Sequence, residues 1–182
     1  APILEEDIAL ANIAQDELGH ATIWYGLYAD LTGSDSDDLV FFRDPAAFRN
    51  VQLVELPRGD WAFTMLRQYL FDAHEAVLLA QLTESGYRPL ATAVAKIRNE
   101  ELYHYRHTSV WVTRLGLGTA ESHRRMQAAL DVLWPAAQQL FAPWQDEETL
   151  VNNGVVGETV VRQQQWLALV QPHLTKANLT IP

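Results

Sequence analysis

DELGH at residues 16–20 and EELYH at residues 100–104 are the stretches of this sequence that decide its fold. In each stretch a glutamate stands three residues before a histidine, which pairs Glu17 with His20 and Glu101 with His104. Side chains three positions apart in an α-helix project from the same face, so each stretch presents a carboxylate beside an imidazole. Because facing helices build metal sites from such pairs, the repeat predicts a helical bundle around a polar centre.

The first of these stretches lies in a long helical segment, and a second long helical segment follows it. Residues 3 to about 31 are strong helix formers followed by Gly33, and Asp60 is placed to cap a second long helix that continues to about Ser85. Pro and Gly punctuate residues 34–59 between them, where we expect two short helical turns, around Phe41 and Phe48.

The EELYH stretch lies in a third long helix, which Pro89 opens and which is expected to run to about Leu115. Thr119 is placed to cap a fourth helix, which runs to about Phe141 with a kink at Pro135. Helices of this length exceed the average of globular proteins. They predict an all-α fold, a ferritin-like antiparallel helical bundle.

The end of the chain is expected to form one more helix. Residues 142–157 are predicted to be a loop, and an amphipathic helix follows from about Glu158 to Val170, ending before Pro172. Residues 178–182 are predicted to be an extended tail.

Composition narrows the possible functions. The 182 residues are 48% hydrophobic, which is enough for a single domain over residues 1–182. Lys and Arg number 13 against 23 Asp and Glu, and with a net charge of -10 and no basic run we expect no nucleic-acid partner. No apolar run is long enough for a membrane span and no secretory signal is visible, so we expect a cytoplasmic protein without a membrane partner.

The absence of cysteine determines what kind of metal site is possible. Without thiolates, a metal must be held by His, Asp and Glu. Two-metal carboxylate bundles use a Glu-x-x-His pair from each of two helices and one Glu from each of two others. Glu75, on the helix between the two pairs, is the first such single glutamate, and the predicted metal ligands are Glu17, His20, Glu75, Glu101 and His104.

One single glutamate of this pattern is unaccounted for. Glu5 and Glu6 lie on the helix that already supplies Glu17, about 16 Å away along its axis. We therefore expect the fourth carboxylate on a helix before Ala1, with the site incomplete in residues 1–182.

Other charged residues are expected to orient the ligands. Metal-bound imidazoles usually donate their second N–H to a carboxylate. Asp16 and Glu100 each precede a ligand glutamate and are predicted to reach the histidine of the other helix, and Asp72 lies one turn before Glu75. His74 and His107 are predicted to lie off the metal-facing stripe.

Two other interpretations compete with a metal site. A single Glu-x-x-His pair occurs often by chance on exposed helix faces. Both pairs here continue into large apolar residues, however, and charges buried on core faces need partners or metal. A buried ion-pair network without metal is the remaining alternative.

Several short sequence motifs along the chain resemble those of a known family. They are LEEDIALANI at 4–13, Arg67-Gln68-Tyr69 with Asp72-Ala73, Tyr103-His104 with Trp111, Arg114-Leu115-Gly116, Met126-Gln127, Leu133-Trp134 and ANLTIP at 177–182. In this order and spacing the chain resembles the phenylacetic acid catabolic proteins, which form the multicomponent phenylacetyl-CoA epoxidase. It is most similar to the C-subunit branch of that family.

The resemblance implies a ferritin-like fold of the di-iron superfamily, with a further helix before Ala1 and an extension after Pro182. In that family the A subunit holds the di-iron site and, with dioxygen and electrons from a separate reductase, epoxidises the aromatic ring of phenylacetyl-CoA. The C subunit is regarded as its structural partner and lacks most of the ligands. This sequence retains five of them, which argues against a purely structural role.

The resemblance implies one component of a di-iron monooxygenase, an oxidoreductase of phenylacetic acid degradation, acting in a multisubunit complex. Its expected partners are a homologous A subunit or a second copy of this chain, and a reductase component. A non-catalytic scaffold subunit is the main alternative, and a ferritin-like iron oxidase or peroxidase is a further one. No CoA-binding motif is visible in the sequence.

Overall fold

The computed structural model describes residues 1–182 and contains helices without any β-strand. The all-α prediction is thereby confirmed. The chain divides into two compact units, Ala1–Asn50 and Val51–Pro182. The prediction of one domain over the whole length stays a prediction. No helix combines the length with the apolar composition that crossing a membrane requires.

The first unit consists of one long helix, a short one and a single 3-10 turn over Pro45–Ala47. Helix α1 spans Leu4–Thr32, and helix α2 spans Ser36–Phe41. Gly33 ends α1 in the left-handed conformation at φ 71°, which glycine adopts without a Cβ clash, and its N–H donates to Ala29 O at 2.8 Å. The predicted first helix is therefore confirmed, together with its stop.

The second unit holds the remaining helices. They are α3 (Gln52–Glu55), α4 (Trp61–Leu82), α5 (Arg88–Gly116), α6 (Ala120–Gln138), α7 (Glu147–Asn152) and α8 (Thr159–Lys176). Helix α4 lies at the centre of this unit and packs against α5, α6 and α8. The second and third long helices of the prediction correspond to α4 and α5.

Local hydrogen bonds explain where these helices begin. The Asp60 carboxylate accepts the Phe63 N–H at 3.0 Å, as its predicted role as N-cap requires. Thr119 and Ser122 form a reciprocal capping box at the start of α6, in which each side chain accepts a backbone N–H of the other residue. Both predicted caps are confirmed.

The core of the second unit is built around α4 and α8. Leu70 on α4 and Trp166 on α8 are both fully buried, and the indole N–H donates to Leu70 O at 3.1 Å. Trp166 also stacks on Trp134, with 5.3 Å between ring centroids. This aromatic contact joins α4, α6 and α8 within one continuous core.

Three sequence predictions were wrong in detail. Residues 142–157, predicted to be a loop, contain α7. The last helix does not end before Pro172 but continues to Lys176, because the turn after the proline buries Leu174 completely and this packing outweighs one missing N–H. The connection after α1 has three short helical turns, since α3 follows those predicted.

Candidate metal centre

Carboxylates from α4 and α5 meet between the two helices. Asp72 and Glu75 lie one turn apart on α4, and Glu101 lies opposite them on α5. One oxygen of each of the three lies within 4.8 Å of the others, a spacing at which they can share a metal ion. Asp72 is 0% exposed and Glu101 is 1% exposed. Buried carboxylates of this kind need a proton, a cation or strong hydrogen-bond donors.

His104 adds an imidazole to this cluster. Its Nδ1 lies 3.3 Å from Glu101 Oε2, and the side chain is fully buried. The two residues occupy one face of α5 because they are three positions apart, as the sequence predicted. The face that α5 turns to α4 thus carries a carboxylate and an imidazole in one buried place.

Asp72 is held in position by two neutral donors. Gln68 Nε2 donates to Oδ1 at 2.7 Å, and Thr108 Oγ1 donates to Oδ2 at 2.7 Å. Burial raises the pKa of Asp72 to about 7, and the Glu101 charge adds to the rise, while the hydrogen bonds from Thr108 and Gln68 oppose it. A carboxylate with both oxygens accepting hydrogen bonds is suited to support the ligands, which is the role predicted for it.

Thr108 and Gln68 are functional candidates that sequence reasoning missed. Each lies one helical turn from a predicted site residue, Gln68 four before Asp72 and Thr108 four after His104. The i,i+4 rule would have found both. Thr108 is fully buried, so its hydroxyl is committed to the cluster.

The first pair lies on α1, in the other unit. His20 Nδ1 is 3.9 Å from Glu17 Oε2, which is the side-by-side arrangement predicted for this pair. Glu100 is exposed on α5, and Asp16 is partly buried on α1. The predicted roles of Glu17 and His20 as ligands, and of Asp16 and Glu100 as their support, stay predictions.

His74 lies in a different environment from its neighbour Glu75. Its ring meets Phe141 edge-on at 5.4 Å between centroids. Burial lowers its pKa to about 4, and the charge of Arg162 lowers it further, so His74 is neutral at pH 7. It contacts an apolar region and not the carboxylate cluster.

The chemistry of the donor set fits a hard or borderline metal ion. Carboxylate oxygens with an imidazole and no thiolate are the ligands that iron and manganese take in helical bundles. The cluster also concentrates negative charge in a buried place, where a cation would relieve repulsion between Asp72 and Glu101. Asp72, Glu75 and Glu101 can therefore hold a metal ion, and His104 lies beside Glu101.

Comparison with known proteins identifies the family of the chain. The sequence profile described as phenylacetic acid catabolic protein matches residues 1–182. The chain is 39% identical to the C subunit of the 1,2-phenylacetyl-CoA epoxidase of Escherichia coli (strain K12), over 100% of this chain and 74% of that protein. It is 27% identical to the A subunit of the same epoxidase, over 80% of this chain and 47% of that protein. By this match along its whole length, the chain belongs to the phenylacetic acid catabolic protein family.

Proposed function

We propose that this protein is one component of a cytoplasmic, multisubunit monooxygenase that epoxidises phenylacetyl-CoA. The proposal rests on the sequence identity of this chain to two subunits of one epoxidase. The identity is 39% with the C subunit and 27% with the A subunit. A chain related to both fits a complex in which homologous helical subunits pair. Its proposed partners are an A-type subunit and a reductase component.

The proposal includes a di-iron site made of Glu17, His20, Glu75, Glu101 and His104. The close approach of Asp72, Glu75 and Glu101, together with His104 beside Glu101, supports the half of it on α4 and α5. When bound, a di-iron centre supplies dioxygen activation with electrons from a reductase.

The residues of α4 and α5 hold the proposed metal ligands in position and exclude water from them. Asp72, fixed by Gln68 and Thr108, places a carboxyl oxygen within 4.8 Å of Glu101 and Glu75, where it can support a bound metal ion. The complete burial of His104 fixes its ring and keeps solvent away from the metal face. These are properties of the chain itself and precede any metal binding.

The first experiment is metal analysis. The full-length protein is purified after expression with added iron, and its metal content is measured by elemental mass spectrometry. We expect about two irons per chain and almost none in the double variant Glu101→Ala with His104→Ala. Glu84→Gln, which removes an exposed carboxylate just after α4, serves as the control and should retain iron. Equal iron in the double variant would refute the site.

A scaffold role is the second candidate function. The higher identity is to the C subunit, and the sequence resemblance implies a structural role for that branch. Co-expression with an A-type subunit distinguishes the scaffold role from the catalytic role. Co-purification of the pair with iron confined to the A-type chain, and no loss of epoxidation in the Glu101→Ala, His104→Ala variant, would establish the scaffold.

A further inference from the structure

A second candidate site lies in a partly open cavity between α4, α7 and α8, apart from the carboxylate cluster. It is a cavity of about 360 Å³. Apart from His74 and Arg162, every side chain that lines it is aliphatic or aromatic, including Leu78, Leu140 and Trp144. A cavity of this size accommodates a small organic molecule.

Arg162 is a buried charge in the wall of this cavity. The side chain is 4% exposed. Its guanidinium donates to Gly157 O at 3.3 Å, to Gln81 Oε1 at 3.4 Å and to Thr159 Oγ1, all of them neutral oxygens. Burial lowers the pKa of Arg162, and the charge of Glu147 opposes this shift without a direct hydrogen bond. Arginine stays protonated at neutral pH, and a buried charge normally has a counter-ion in contact with it.

Two nitrogens of this wall have no hydrogen-bond partner. Arg162 Nε and His74 Nδ1 are both buried and both unpaired. The first is always a donor, and the second donates when the neutral ring carries its proton there. Unpaired buried polar groups are rare in folded proteins and indicate a missing partner. A carboxylate accepts hydrogen bonds from several donors and brings a negative charge into contact with the guanidinium.

We propose that this cavity binds a small monocarboxylate with an apolar body, whose carboxylate accepts from Arg162 and His74 while its tail contacts Leu78 and Leu140. The apolar lining excludes a strongly hydrated dianion, which would lose its water without enough donors to replace it. The site is separate from the proposed metal centre, and the proposal does not depend on iron.

Binding of sodium octanoate to the full-length protein tests this directly. Isothermal titration calorimetry should give saturable binding of one octanoate per chain. Octanol, which has the same tail without the charge, should bind roughly tenfold to hundredfold more weakly, because a hydrogen bond to a charged partner is lost. Octanol binding as tightly as octanoate would overturn the proposal.

Two variants locate the binding. Arg162→Gln should weaken octanoate binding roughly tenfold to hundredfold, and Leu78→Trp, which fills the cavity without altering Arg162, should abolish it. Arg98→Gln removes an exposed arginine of α5 and should leave binding unchanged. If Arg162→Gln does not fold, Leu78→Trp and the comparison with octanol still decide whether the cavity binds the carboxylate. Unchanged octanoate binding in Leu78→Trp would place the ligand elsewhere and refute the proposal.

Discussion

Asp72 shows how burial and hydrogen bonding act against each other on one side chain. Removal from water raises its pKa to about 7, while Gln68 and Thr108 donate to its two oxygens. Neighbours on both α4 and α5 therefore hold the Asp72 side chain in position. A cation beside this buried carboxyl group would stabilise its charged form.

Asp72→Asn tests whether this residue supports metal binding. Asparagine has nearly the same shape and still accepts from Thr108, so we expect the fold to persist. Loss of the charge beside Glu101 should weaken Fe²⁺ binding about 10- to 100-fold, the usual effect of removing a supporting carboxylate. Anaerobic titration against a competing chelator measures the affinity. Asp131→Asn, on the exposed face of α6, is the control, and equal affinities for all three proteins would contradict the prediction.

His173 makes stability depend on pH. Its Nε2–H donates to Ser109 O at 3.1 Å, and its ring lies 5.0 Å from that of Tyr69. Burial lowers its pKa below the ordinary 6.5, the nearby Lys176 charge lowers it further, and the Ser109 hydrogen bond opposes both. The unfolded chain then binds the proton more readily than the folded one.

We therefore expect protonation of His173 to lower the free energy of unfolding as the pH drops below about 6.5, whereas Asp72, whose pKa is raised, acts in the opposite direction. Above that value His173 is neutral in both states and has no such effect. Urea unfolding at pH 7.5 and pH 5.5 measures the change in free energy, and on going to pH 5.5 the wild type should lose stability relative to His173→Gln. An identical loss in the two proteins would show that other groups cause the acid sensitivity.

At the scale of elements, the approach of α5 to the end of α8 depends on a glycine. A Cβ at Gly116 would collide with the Ala177 carbonyl oxygen, which is backbone and cannot rotate away. Gly116 therefore allows the end of α5 to contact the segment that follows α8. Ala177 and Leu179 in that segment are both buried.

Gly116→Ala should destabilise the protein by about 2 kcal/mol, because the two segments must separate to admit one methyl group. Gly26→Ala is the matched control. No atom lies within 4 Å of a Cβ at Gly26 in α1, and an alanine there should be neutral or stabilise by up to about 1 kcal/mol. Chemical denaturation measures both, and equal stability of Gly116→Ala and wild type would disprove the steric argument.

The last helix shows how packing overrules local preference. Pro172 lies inside α8 without ending it. Leu174 beyond it is completely buried, and its contacts with the core of the second unit stabilise the final turn. The sequence pattern alone placed the end of the helix before this proline, because the burial of Leu174 depends on residues far away in the chain.

At the scale of the whole molecule, the proposed metal site predicts that stability depends on the Fe²⁺ concentration. A ligand that binds only the folded state stabilises it by about 2.7 kcal/mol at a concentration of 100 Kd. For a chain of this size we expect anaerobic Fe²⁺ to raise the Tm by roughly 5 to 10 °C. The Glu101→Ala, His104→Ala variant should show no rise, whereas Glu84→Gln should behave like the wild type. Differential scanning calorimetry provides the measurement, and an equal rise in the double variant would argue against the site.

The sequence by itself determined the long helices α1, α4, α5 and α6 and the spacing of the two Glu-x-x-His pairs. Helical periodicity, the Asp60 and Thr119 caps and the Gly33 stop are local signals, and the i,i+3 spacing fixes Glu101 beside His104 whatever surrounds them. The absence of cysteine and the order of short words along the chain were sufficient to indicate the family and the class of metal ligand.

Only the tertiary structure decided which residues pack against the helix faces that carry the predicted ligands. Asp72 could be assigned a supporting position, but its partner Thr108 is on another helix, 36 residues further along the chain. The cavity beside Arg162 combines residues from α4, α7 and α8, and one of these helices was predicted to be a loop. Burial, pKa shifts and cavities depend on contacts between residues distant in sequence, and local patterns carry no information about such contacts.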